Sequence, residues 1–302
     1  MTSIFYIDGD NARTKYSISI AENGYLGLVN YPSLKKFEIN DWADENGLDP
    51  DLSNPLLKSR EISINFLSTD IAKTEEFFYK LTDKAYHTFR FEDLDLTLRM
   101  RLENQSSLNG LRELQVFTLK FKADDSPLLN YKHEQPTNTK ESGCSLDDLD
   151  FSAYELQILY GTEKEIRKLP AVKKNCTIES ENISGVFYDD SLVLFSAKDV
   201  RMSLLMRVAT IAEFWKNWKA FLHNLTQPEG RIIGYNGEEY PAYYKSCLTK
   251  EFYINRAGNV WWKFDLVMCF YDFRLSTVNE SLLATEMGIL LTTEDDYFID
   301  LN

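Results

Sequence analysis

The sequence predicts a β-rich α+β protein made of two tandem domains, each with one flanking helix. Three observations carry that expectation: long stretches alternate apolar with polar residues, aromatics are plentiful at 14%, and one set of segments recurs along the chain. Alternation with a period of two is the mark of half-buried strands. With 44% hydrophobic residues among 302, each half has enough apolar surface for a packed core, which excludes a disordered chain.

The clearest strand of the first half puts Leu94, Leu96, Leu98, Met100 and Leu102 on one face and Asp95, Thr97, Arg99, Arg101 and Glu103 on the other. Asn109-Gly110 tolerates the positive φ of a tight turn, so it predicts a hairpin into Phe117, Leu119 and Phe121. In the second half Trp262, Phe264, Leu266, Met268 and Phe270 alternate after a turn at Arg256-Ala257-Gly258-Asn259. Asn236-Gly237 marks another turn ahead of Tyr240-Pro241-Ala242-Tyr243-Tyr244. The best-defined helix places Ile211, Trp215, Trp218, Leu222 and Leu225 on one stripe, with Lys216, Asn217 and Lys219 opposite.

The repeat has an offset of 138 residues. Tyr16, Ile18 and Ile20 fall on Tyr154, Leu156 and Ile158, and Pro32-Ser33-Leu34-Lys35-Lys36 falls on Pro170-Ala171-Val172-Lys173-Lys174. Ile62, Ile64 and Phe66 fall on Val200, Met202 and Leu204. At 137, Glu76-Phe77-Phe78 meets Glu213-Phe214-Trp215 on the one helix expected in each half. Each half then reads strand, loop, strand, helix, hairpin. The domains are expected at 1–127 and 151–275, with 128–150 a polar linker or insertion and 276–302 a C-terminal arm. Within the arm, Gly288 to Asp300 suggests two short strands about an acidic turn, able to pair with a neighbouring sheet edge.

Charge and motifs exclude several classes of chemistry. Lys plus Arg total 33 against 47 Asp plus Glu, a formal charge of −14 that repels a phosphate backbone. No basic leader or long apolar span is seen, so the chain is expected to be cytosolic when made and not to insert in a membrane. Cys144, Cys176, Cys247 and Cys269 are widely spaced and read as reduced thiols; the sequon Asn182-Ile183-Ser184 carries no weight without a secretory route. Asp8-Gly9-Asp10-Asn11 lacks the later ligands of a calcium loop and reads as a polar turn, and Asp147-Asp148-Leu149-Asp150 reads as solvated linker. His87, His133 and His223 fall in no metal spacing, and no nucleophile elbow or phosphate-binding loop occurs. Trp215 and Trp218 belong to a helix stripe; alternation sends one of Trp261 and Trp262 outward, which suits Trp261 to an interface. No catalytic residue, cofactor-binding residue or metal ligand is assigned, no cofactor is expected, and the protein is read as not an enzyme.

One resemblance spans Phe5 to Pro127. Phe5-Tyr6-Ile7-Asp8-Gly9 leads to a Tyr-containing strand, then a loop, then the run Lys58-Ser59-Arg60-Glu61-Ile62-Ser63-Ile64-Asn65-Phe66. A short helix follows, then a hairpin whose last strand ends in Phe121-Lys122-Ala123-Asp124-Asp125-Ser126-Pro127. In that order these resemble the N-terminal region of phage distal tail proteins. The resemblance implies a split β-barrel with a flanking helix, related to tail tube proteins, and hence two tandem split β-barrels here. It also implies a structural virion protein of a phage tail tip or baseplate that forms a ring around the DNA channel. The implied partners are other copies of itself, as a hexamer or a pseudo-hexameric trimer, and neighbouring tail tube and baseplate proteins. DNA would pass a negative wall without specific binding. Distal tail proteins often carry a galectin-like sandwich in the second half, where this chain repeats its first half, so distal ring, tube relative and hub component stay open. The alternatives are a baseplate component of a contractile injection system, and a carbohydrate-binding module or glycosidase using exposed aromatics and carboxylates.

Overall fold

The alternating segments pair into two antiparallel sheets of the same construction. The computed structural model describes residues 4–111, 114–137, 141–173, 178–179, 181–182, 184–187 and 193–272; the expected C-terminal arm lies outside them. The first half runs β1 (Phe5–Ile7), β2 (Asp10–Asn11), α1 (Ala12–Tyr16), β3 (Ile18–Ile20), β4 (Ile39–Asn40), β5 (Asp49–Pro50), β6 (Arg60–Ser68), α2 (Ile71–Thr82), β7 (His87–Phe91), β8 (Leu96–Leu111) and β9 (Leu114–Ala123). The second runs β10 (Cys144–Leu146), β11 (Leu149–Asp150), β12 (Leu156–Ile158), α3 (Thr162–Arg167), β13 (Ile178–Glu179), β14 (Val186–Phe187), β15 (Lys198–Val208), α4 (Ile211–Leu225), β16 (Arg231–Tyr235), β17 (Glu238–Ile254) and β18 (Val260–Phe270). Both sheets have seven strands, ordered β2-β1-β7-β8-β9-β6-β3 and β11-β10-β16-β17-β18-β15-β12, so every strand has a counterpart in the same place.

Register repeats along with order. Ile20 opposite Phe66 matches Ile158 opposite Leu204, Phe66 opposite Phe117 matches Leu204 opposite Phe264, and Ile7 opposite Phe89 matches Leu146 opposite Ile233. The isolated bridge Leu34 to Leu57 recurs as Val172 to Phe195, both ends displaced by the 138 residues seen in the sequence. A one-residue slip would turn each buried face to water, so the shared register reflects a shared core pattern.

Several expectations need correction. Tyr16 ends a short helix, not a strand: the Asn11 side chain caps it by accepting from the Arg13 and Thr14 amides, each at 3.1 Å, and Ser17 closes it at φ 56°. Together with α3, this gives each half more than one helix. The large helices align by their caps, Asp70 and Thr210, which accept from the amides three residues on at 3.1 and 3.2 Å. That pairs Phe78 with Trp218 and Leu81 with Phe221, in place of the 137-residue match. Leu94 lies in a 3₁₀ turn ahead of β8, and each half ends in a three-stranded meander because β7 precedes the expected hairpin. Asn109-Gly110 lies inside the ladder, opposite Val116 and Gln115. Bulges after Leu102 and Gln105 shift the register ahead of it. Asn236-Gly237, at φ 51° and 86°, does form its turn. Finally, the stretch read as linker supplies β10 and β11, too short for alternation to reveal, with Cys144 and Leu146 buried.

Each large helix seats an aromatic on its own sheet. Phe77 of α2 packs on Phe5 and Phe66 (6.4 and 5.7 Å between centroids), and Phe214 of α4 packs on Trp262 and Phe252 (5.6 and 5.1 Å). Helix α4 also forms the seam between halves. Tyr31 inserts against Trp218 and Trp262 (4.6 and 5.3 Å), the Trp218 indole donates to the Val29 carbonyl at 2.8 Å, and the Trp215 indole donates to the Leu94 carbonyl at 2.6 Å. The excursion carrying β4 and β5 then crosses the second half. Asp41 pairs with Lys173 at 2.6 Å, the Gly47 amide donates to the Phe195 carbonyl at 2.7 Å, and the Leu48 amide donates to the Tyr271 carbonyl at 2.8 Å. Gly47 holds φ +69°, and a Cβ there would collide with the Tyr271 carbonyl, so the crossing requires glycine.

Candidate assembly surface

The aspartates of the two acidic turns do matching structural work. At φ 52°, Asp8 turns β1 into β2; its carboxylate accepts from the Thr88 amide at 2.9 Å and from the buried His87 ring at 2.8 Å. Asp147 at φ 52° does the same between β10 and β11, accepting from the Ile232 amide at 2.9 Å and from Arg231 at 2.8 Å. Asp147 is therefore a turn residue of the second sheet and not solvated linker. Burial alone would raise the Asp8 carboxyl, but the Thr88 amide, the His87 ring and the Lys84 and Lys80 ammoniums hold it well below the usual carboxylate range. Lys80 is at the end of α2, so this clasp joins turn, strand and helix.

A second repeated device is a cation set on a backbone carbonyl. Arg60, the first residue of β6, is buried and donates to the Leu28 carbonyl; Lys198, at the same place in β15, donates to the Ile166 carbonyl and to that of Lys168 at 2.5 Å. Burial pushes Arg60 down to about 10 and Lys198 down to about 8. Arg60 also lies over the Trp218 ring at 5.4 Å, which partly offsets its desolvation. Neither cation was singled out from the sequence, although the 138-residue offset places Arg60 on Lys198.

The remaining candidates separate by location. His133 and His223 stack at 4.1 Å and 13°, docking the segment after β9 onto α4, while His87 stays with Asp8. Cys144, Cys247 and Cys269 are buried free thiols, and burial raises all three; Cys176 is outside the described residues. Among the described residues no three His, Cys, Asp or Glu side chains converge as a metal site, and no helix is long and apolar enough to cross a membrane.

The outward faces of the two sheets differ. On the first, Ser107 donates to Thr118 at 2.9 Å and Thr118 donates to Asn65 at 2.7 Å, giving an uncharged polar row. The corresponding row on the second is Ser203, Asp265 and Leu248, in which the Ser203 hydroxyl donates to Asp265 at 2.8 Å and Lys250 lies 3.3 Å from that carboxylate. Further along, Arg207, Trp261 and Tyr253 line up across β15, β18 and β17. The guanidinium lies over the Trp261 ring at 4.6 Å, with Trp261 44% and Tyr253 59% exposed. Trp262 faces the core, as alternation requires.

No family model matches the sequence, and no curated protein does. Among solved structures, the chain is similar to the crystal structure of the Dit protein of phage SPP1, titled a paradigm of the hub adsorption apparatus in phages that infect Gram-positive bacteria. The two are 8% identical, the match covers 89% of this chain and 98% of that one, and the TM-score is 0.30.

Proposed function

We propose that the protein is a structural subunit of a phage tail tip or baseplate, and that copies of it form a ring around the DNA channel. Each sheet with its helix is one split β-barrel domain: the first ends near residue 127, and the sheet of the second runs from Cys144 to Phe270. The observation that supports the reading is the repetition of one sheet order, with its register and aspartate clasp, twice in a single chain. Closed rings are built from such repeated units. Three chains would supply six similar barrels; six chains would stack two tiers. Tail tube and baseplate proteins are the neighbours, and the formal charge of −14 keeps the channel wall from holding DNA. Micrographs of virions labelled with an antibody to this chain test the reading: label at the tail tip is expected, and particles without label contradict it.

The exposed Tyr253 and Trp261 favour one second reading, since aromatic faces of this kind stack on sugars. Binding on a glycan array that is lost in Trp261→Ala would support that role.

A further inference from the structure

The halves share a fold but differ in what covers them. Tyr31 is 4% exposed, sealed between Trp218 and Trp262, whereas its counterpart at the 138-residue offset, Leu169, is 57% exposed. Leu34 of the isolated bridge is buried while its counterpart Val172 is exposed, and Val193 nearby is exposed too. Gly47 and Gly185 occupy matching positions with φ +69° and +94°; Gly47 presses on the Tyr271 backbone, and Gly185 faces open space. The first excursion thus lies on a neighbouring half, while Leu169, Val172 and Val193 of the second half are uncovered.

We infer that the edge of the second half carrying Leu169, Val172 and Val193 docks on the first half of another copy, repeating between chains the seam that already exists within one. The inference rests on the proposed ring and names its contact. The receiving surface is present by register. The second-half residues Trp218, Phe221, Tyr244 and Phe264 around Tyr31 have as counterparts Phe78, Leu81, Leu102 and Phe117, all apolar. Phe78 and Leu102 are half-buried, so this surface is open where Leu169 would enter. The contact is heterologous, second half to first half, so it closes into a ring or propagates as a filament.

Sedimentation of the full chain over a concentration series tests the contact. The wild-type chain is expected to self-associate, and Leu169→Asp with Val193→Asp to weaken association by about tenfold or more while the unfolding midpoint of the isolated chain stays unchanged. A wild-type chain that stays monomeric at its highest soluble concentration overturns the inference, as does a double aspartate variant that associates as tightly as wild type. A wild-type filament abolished by the same variants supports the contact and defeats the ring; a ring that survives them keeps the ring and defeats the contact.

Discussion

Tyr31 and Leu169 hold the same position in two copies of one fold, yet the first lies under Trp218 and Trp262 and the second is 57% exposed. The comparison extends along the excursion, where Gly47 is pressed by backbone and Gly185 is not, and along the helices, where Trp218 is buried and its counterpart Phe78 only half-buried. Duplication supplies two equivalent sheets, but a chain with two units has one internal seam, so one set of seam residues is used and the other set left over. The cores stayed alike because register fixes them; the surfaces diverged where one half meets the other.

Trp218→Ala removes a buried indole and its bond to Val29, and should cost about 3–5 kcal/mol in denaturant unfolding; Phe78→Ala in the isolated chain should cost clearly less. Equal losses would mean that α4 is no more of a seam than α2. Gly47→Ala combines an unfavourable φ with a clash against the Tyr271 carbonyl and should cost about 2 kcal/mol or more, against about 1 kcal/mol for Gly185→Ala, which meets only the backbone penalty.

Asp8→Asn, which strips Lys80, Lys84 and His87 of their shared carboxylate, should cost about 1–2 kcal/mol at neutral pH. Because the native Asp8 carboxyl is held below its unfolded value, its contribution is complete above about pH 4 and is lost as pH falls toward the depressed native value. The gap between wild type and Asp8→Asn in thermal scans should therefore narrow on acidification below about pH 4, and a gap that widens there would refute the assignment. The smallest effect is expected for Trp261→Ala, within about 0.5 kcal/mol of wild type, since its ring is exposed and covered only by Arg207.

The legible parts of the fold were those with long, unopposed patterns. The 138-residue offset located β3 with β12 and β6 with β15, and the Ile211 to Leu225 stripe located α4, because each rests on many apolar positions in phase. Asn236-Gly237 forms a turn while Asn109-Gly110 lies within the ladder, although the dipeptides are identical; two bulges in β8 shift the register ahead of the latter. β10 and β11 escaped notice because three and two residues cannot show a period. β7 carries a weaker signal, Phe89 and Phe91, beside the longer run that follows. The proposed contact is the least legible part, since exposure of Leu169 against burial of Tyr31 depends on which half lies beside which, and repeat matching treats the halves as equal.

The most direct measurement is a density map of the assembled particle at side-chain resolution. A closed ring is expected in which Leu169 of one copy meets Phe78 and Leu102 of the next as Tyr31 meets Trp218 and Tyr244 within the chain. Lobes joined through other surfaces, with Leu169 still facing solvent, would contradict it.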